Sequence, residues 1–393
     1  MHIYSMDLIM YAAIMMTPIL SISLLNNVLA LRRIYYYCHS IFFLFTIILH
    51  GHAHAHDFKT PKNTSITSIF IFGDSTVDPG NNDYVKTLFR SNFLPYGIDF
   101  PNHTPTGRFT NGRLPTDFIA SYAGVKEYVP AYLDPNLRLK DLMTGVSFAS
   151  AGTGYDPTTA LKNKVIDLTT QVQYFDEYKK KVEHLIGKKE MEKIVSNAAF
   201  IISCGTNDIV YTYGLVPYLS LVSDSISPYL RFMIKQSKWL IQELIDRGAK
   251  RIGVVGLPPV GCLPAIITLH TSPHQPRICI ESLSSIALQF NEMLERELNN
   301  MQQQSTLTII YGDIYTPLQD QFIHPHKYGF EVADRGCCGS GLFEGAITCN
   351  SLFPICNDRS KYLFWDSIHP TERSYYFLFE ALRPVIDFVI NTP

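Results

Sequence analysis

The chain has 393 residues, 46% hydrophobic and 17% charged, with a formal net charge of −2. That is globular composition, enough for one large domain or two small ones. The near-neutral balance excludes nucleic acid as the main partner, because phosphate binding needs a basic surplus, and no internal repeat or low-complexity tract is present.

The N-terminus differs from the rest. Leu8 to Leu25 carries no charge but is interrupted by Pro18; Arg32-Arg33 and an apolar run from Ile41 to Leu49 follow, then Ala53-His54-Ala55. Positive residues, a short apolar core and a small-x-small site are the parts of a secretory signal. Residues 1–55 therefore read as a signal region with an extra N-terminal extension, 56–65 as a short linker and 66–393 as one domain. A membrane-anchored form is the alternative, since the first apolar run is near the lower length limit for a bilayer span. Asn63 and Asn102 head Asn-x-Ser/Thr sequons, as in a secreted glycoprotein.

From residue 66 short apolar runs alternate with helical stretches. Ile69–Phe72, Gly145–Ala149, Ala198–Cys204, Arg251–Gly256 and Leu307–Tyr311 are strand candidates. Leu168–Leu185, Ser227–Arg247 and Ser284–Asn300 are amphipathic helices, the second with Ser227 as N-cap and Pro228 at the first helical position. Continuous apolar strands separated by helices indicate a parallel sheet covered on both faces. The expectation is one doubly wound α/β domain with a five-stranded parallel sheet. Three irregular inserts, Asn92–Arg113, Leu257–Ile280 and Asp334–Asp358, are expected to crown the carboxyl edge of that sheet. A closing helix spans Thr371–Val389, with Pro384 expected to break or kink it.

Of eight cysteines, Cys38 lies in the signal region and Cys204 in an apolar run, where a free buried thiol is expected. Cys262, Cys279, Cys337, Cys338, Cys349 and Cys356 suffice for three bridges. Zinc is the rival reading for the last four, but the vicinal pair Cys337-Cys338 lacks zinc-knuckle spacing. Cys262–Cys279 would close one insert locally, leaving four cysteines to tie the 334–358 stretch.

The chemistry starts at Gly73-Asp74-Ser75, where the first strand candidate meets a turn. A hydroxyl there lies at the sheet edge where open α/β sheets bind ligands. A serine needs a base to become a nucleophile. Asp366-Ser367-Ile368-His369-Pro370 supplies an imidazole with a carboxylate three residues before it, able to accept the ring N–H and leave the other nitrogen as base. The chain holds thirteen histidines, so this spacing alone is a weak signal. Acyl transfer also requires oxyanion donors. Gly152 and Asn207, each just beyond a strand candidate, are suited to that, as is the Ser75 N–H if it stands at a helix N-terminus. Asp74, Asp78, Asn81 and Asn82 are of metal-binding type, but their spacing suits turn and cap residues holding the serine loop.

Gly73-Asp74-Ser75, Gly152, Gly205–Asp208 and Asp366-x-x-His369-Pro370 resemble the four blocks of the SGNH hydrolases. Gly73-Asp74-Ser75-x-x-Asp78-x-Gly80-Asn81-Asn82, Gly107–Arg113, Gly261-Cys262-x-Pro264, Cys337-Cys338-Gly339 and Phe364-Trp365-Asp366 are similar to plant GDSL esterase/lipases, nearest to the extracellular-lipase subgroup. The resemblance implies a flavodoxin-like three-layer α/β/α fold and ester hydrolysis without metal or cofactor. It assigns Ser75 as nucleophile, His369 as base, Asp366 as its partner, and Gly152, Asn207 and the Ser75 amide as oxyanion hole. Ser147, where the family often has Asn, and Cys204, where it often has a small residue, depart from the pattern. The expected protein is a secreted monomer acting on a small-molecule or lipid ester, without stable membrane insertion after signal cleavage. An acyltransferase using the same residues, and a non-catalytic wall or defence glycoprotein keeping the fold, are the alternatives.

Overall fold

The computed structural model describes residues 64–214, 226–345 and 348–392. The signal region, the sequon at Asn63 and Cys38 lie outside the described residues. Four strands form one parallel sheet in the order β1 (Ser68–Gly73), β2 (Ala198–Ser203), β3 (Arg251–Val255) and β4 (Thr308–Gly312). Every residue of β1 and β2 is buried, as their unbroken apolar runs require of strands covered on both faces.

The fifth expected strand is a correction. Residues 145–150 run parallel to β1 and join it only by an isolated bridge, Ile71 to Ser147. The backbone bonds are nonetheless made: Ile71 N–H donates to Val146 O at 3.2 Å, and Phe148 N–H to Ile71 O at 2.8 Å. The outer edge of this segment is bridged to Ala131, with Ser147 N–H donating to Pro130 O at 3.0 Å and Tyr132 N–H to Ser147 O at 2.9 Å, and a side chain binds there as well. The Asn81 amide donates to Ser147 O and Ala149 O at 2.9 and 2.8 Å. Counting the segment in chain order, the spatial order is 2-1-3-4-5, the flavodoxin-like arrangement whose ligand crevice lies at the carboxyl edge beside the first strand.

Helices cover both faces: α1 (Pro115–Tyr122), α2 (Leu168–Ile186), α3 (Ile226–Asp246), α4 (Glu281–Gln303) and α5 (Glu372–Asn391). On one face α2 lies against β1 and α4 against β4, with α3 between them; on the other, α5 lies against β3 and β4, with α1 beside it. The first face is filled by aromatic rings. Phe70 has its ring centroid 5.3 Å from Phe175, 5.0 Å from Tyr178 and 5.2 Å from Phe200, and burying each such side chain stabilises the fold by about 1.5–3 kcal/mol.

Helix ends follow local chemistry. Thr371 caps α5 by accepting the Ser374 N–H. Pro384 does not break α5, which runs through it to Asn391; its apolar face, including Leu378, Leu382 and Ile386, is held by packing. Tyr375 and Phe379 are buried, while Tyr376 packs on Phe118 and Phe377 on Tyr328 and Phe330. Ser227 and Pro228 lie within α3, whose described residues begin at Ile226, and not at its cap. At the other end of the fold, Ser65 N–H donates to Ile390 O and the Ser65 hydroxyl to Ile390 O and Thr392 O, each at 2.8 Å, clasping the first described residues to the last.

A second, two-stranded parallel sheet, β5 (Val332–Gly336) with β6 (Tyr362–Phe364), has no counterpart in the sequence expectation. Between its strands lie two disulfides, Cys337–Cys356 and Cys338–Cys349, and Cys262–Cys279 closes the 257–280 insert. Cys204 is free and buried. Disulfide bonding thus takes up the four cysteines for which zinc was the rival. The bridged loop is held against the segment that follows β6: Cys338 N–H donates to Trp365 O at 2.8 Å, one residue before Asp366.

Candidate active site

The carboxyl ends of the strands bring the singled-out residues together. Gly73 ends β1 with φ +137, and a Cβ there would lie 1.8 Å from Ser203 O, so only glycine lets β1 meet β2 and turn. Gln171 of α2 pins this strand end from behind, accepting Gly73 N–H and donating to Gly73 O, both at 2.9 Å. Ser75 then sits in a tight turn and not at a helix N-terminus, which corrects the expectation. Asp74 is the cause. Its Oδ1 accepts the Thr76 N–H at 3.0 Å and the Thr76 hydroxyl at 2.7 Å, an Asx turn that competes with helix initiation.

His369 Nε2 is 2.8 Å from Ser75 Oγ across 294 residues of sequence. Its Nδ1 lies 2.8 Å from Asp366 Oδ2. The tautomer that donates from Nδ1 leaves Nε2 to accept the serine proton. Asp366 Oδ1 also accepts the backbone N–H groups of Ile368 and His369 at 2.8 and 2.7 Å, so the carboxylate is fixed by the turn that carries the histidine. Asp366 is fully buried, and Ser75 and His369 keep only 8% and 6% of their surface.

Two side chains from the 92–113 insert complete this end of the site. Tyr96 is fully buried and donates its hydroxyl to Asp366 Oδ2 at 2.7 Å. Phe109 lies with its ring 4.9 Å from the His369 imidazole. Neither was singled out from sequence.

Asn207 lines the same cavity as Ser75 and His369. Its amide donates to Thr153 O at 2.8 Å, which orients the group and leaves its second N–H. Gly152 does not line that cavity; it adjoins Thr153, has φ +86, and its carbonyl accepts from Asn163 at 2.7 Å. Among the described residues neither the Ser75 N–H nor the Gly152 N–H has a protein acceptor. Asp208 secures this loop. Fully buried, it accepts Tyr155 N–H at 2.7 Å and the Thr159 hydroxyl at 2.7 Å.

The acidic and amide residues after Ser75 act as struts. Asp78 accepts the N–H groups of Gly80, Asn81 and Ala151 at 2.8, 2.7 and 2.9 Å, and the Asn82 amide donates to Ala151 O at 2.9 Å. They bind the serine loop to the 147–151 segment. Burial pushes the Asp74 carboxyl up to about 6, despite the opposing pull of the Thr76 donors and of His369. Asn102 is exposed, on a turn remote in character from this buried cluster.

The pattern of the GDSL-like Lipase/Acylhydrolase family matches residues 69–382. A GDSL esterase/lipase of Arabidopsis thaliana is 49% identical over 335 residues, covering 84% of this chain and 89% of its own. A second from the same plant is 44% identical over 322 residues, covering 81% and 79%. A third, GDSL esterase/lipase EXL2, is 42% identical over 333 residues, covering 81% and 87%.

Proposed function

The chain belongs to the GDSL-like lipase/acylhydrolase family and is a carboxylic ester hydrolase, and from that premise we propose that it works through Ser75, His369 and Asp366 and a covalent acyl-enzyme. Ser75 Oγ attacks the ester carbonyl as His369 Nε2 takes its proton. Asp366 steadies the imidazolium through Nδ1. The Ser75 and Gly152 N–H groups and the Asn207 amide receive the oxyanion. His369 then protonates the leaving alcohol, and water repeats the cycle to release the acid. The observation that carries this reading is the 2.8 Å contact of His369 Nε2 with Ser75 Oγ while Nδ1 is held by a buried carboxylate.

An activated serine reacts with fluorophosphonates, and the purified protein is expected to label stoichiometrically at Ser75, with labelling blocked by prior acylation. A folded protein that fails to label would favour the non-catalytic reading. Adding alcohols to an ester assay separates hydrolysis from acyl transfer, because the transferase would form a new ester.

Tyr96 is a positioning residue in this scheme. A hydrogen bond to a charged group contributes about 1.5–3 kcal/mol. Tyr96→Phe is therefore expected to lower kcat by roughly ten- to a hundredfold with little change in KM for p-nitrophenyl butyrate. A shift confined to KM, or none, would reduce Tyr96 to packing.

The three disulfides support an oxidising compartment. We read the protein as a secreted monomer, with residues 1–55 as signal, 66–393 as the hydrolase domain and glycans on Asn63 and Asn102. The anchored form is the other arrangement. Among the described residues no helix is long and apolar enough to cross a membrane.

A further inference from the structure

The sheet face turned toward α5 is not filled as the other face is. Two cavities, of about 70 and about 50 Å³, lie end to end along it. The first opens at Ser75, Asn207 and His369. The second reaches Ala199 and Ile390, at the opposite end of the strands. Ile119, Ile201, Val255 and Leu382 line both, so the two adjoin.

The sequence has an identifiable cause for this space. Gly253 stands on β3, between β2 and β4, paired in register with Ile201 and Ile310. A Cβ built there would meet nothing nearer than Phe200 O at 4.0 Å, and Gly253 stays partly exposed although its strand is an inner one. Protein interiors are ordinarily close-packed. A strand-interior glycine weakens a sheet and often marks the close approach of a ligand.

We propose that this is an acyl-chain channel: the fatty chain of the ester enters beside Ser75 and runs between the sheet and α5 toward Ile390. The proposal rests on the reading of Ser75 as nucleophile. Four residues of strand separate Ser203 at the mouth from Ala199 at the far end, about 13 Å, long enough for an extended decanoyl chain. The far chamber is lined by apolar side chains and glycine alone, and apolar cavities stay dry and take apolar ligands. Chain length is then selected inside the fold, with each buried methylene worth about a fourfold gain in binding.

Gly253→Leu tests this, because its Cβ has room and its longer branch would block the channel. The readout is the ratio of kcat/KM for p-nitrophenyl decanoate to that for p-nitrophenyl butyrate. The ratio is expected to fall at least about tenfold, from the loss of two or more buried methylenes, while Gly253→Ala leaves it near the parent value. If Gly253→Leu does not fold, Ile386→Phe, which shortens the far chamber, is expected to move the preferred ester from decanoate toward hexanoate. An unchanged ratio in folded Gly253→Leu, or an unchanged preference in Ile386→Phe, would overturn the channel. Failure of the ester hydrolase reading shows separately, as a parent protein inactive on both esters. A channel independent of catalysis is read in Ser75→Ala, where decanoic acid is expected to raise the melting temperature and butyric acid is not; no rise with decanoic acid also overturns the proposal.

Discussion

Alanine at Ser75 is expected to lower kcat for p-nitrophenyl butyrate by several powers of ten, on the order of 10⁵, and alanine at His369 by a similar factor, because a nucleophile and its base act as one unit. The two losses are expected not to add in the double variant. Neither change should unfold the protein. Ser75→Ala removes a hydroxyl whose partner is the His369 imidazole, a residue that keeps 6% of its surface. His369→Ala deletes a ring packed on Phe109, yet Asp366 keeps its two backbone donors and the Tyr96 hydroxyl. Circular dichroism melts alongside the rates separate lost chemistry from lost fold. Near-parental activity in either folded variant would remove Ser75 and His369 from the mechanism.

The largest stability effect is expected at Arg108. Its guanidinium forms two bonds of 2.8 Å to Asp117, and the side chains keep 5% and 1% of their surface. It also donates to Val129 O at 2.8 Å and lies 4.7 Å from the Phe100 ring centroid. Asp117 in turn accepts the N–H groups of Leu114 and Val129, each at 2.9 Å, which caps α1. Arg108→Ala strands a buried carboxylate, and breaking such a pair from one side costs about 3–5 kcal/mol. The check is urea unfolding: the midpoint should drop with the slope unchanged. A loss below about 1 kcal/mol would mean that the pair is dispensable. Activity should suffer as well, since the insert carrying Arg108 also delivers Tyr96 and Phe109 to the histidine.

The parallel strands were legible because each is an apolar run closed by a turn. The same signal found residues 145–150, but it carries no information on how far a strand's ladders extend, and there single bridges to Ile71 and Ala131 and the Asn81 amide take their place. β5 and β6 were not legible for a different reason. Val332-Ala333-Asp334-Arg335-Gly336 mixes charge into the run and β6 is only three residues long; their pairing goes with the disulfide loop between them. In the site, Asp366 and His369 declared themselves because the orienting carboxylate is local in sequence. Tyr96 and Gln171 did not. A single tyrosine, 270 residues from the aspartate it contacts, carries no periodicity or motif. The turn at Ser75 was misread because Gly-Asp-Ser-Thr suits a helix start as well as an Asx turn, and only the reach of Thr76 decides between them.

The clasp between Ser65 and the Ile390–Thr392 end has a temporal meaning. Residues near the two ends of the domain are neighbours in space, so contacts that close the structure span nearly its whole length. Such contacts form slowly, and synthesis delivers the N-terminal part first. A growing chain displays its serine long before the histidine exists. Until α5 docks and brings the 366–370 turn over β1, Ser75 as the proposed nucleophile would have no base, and completing the fold would itself be the step that switches the hydrolase on.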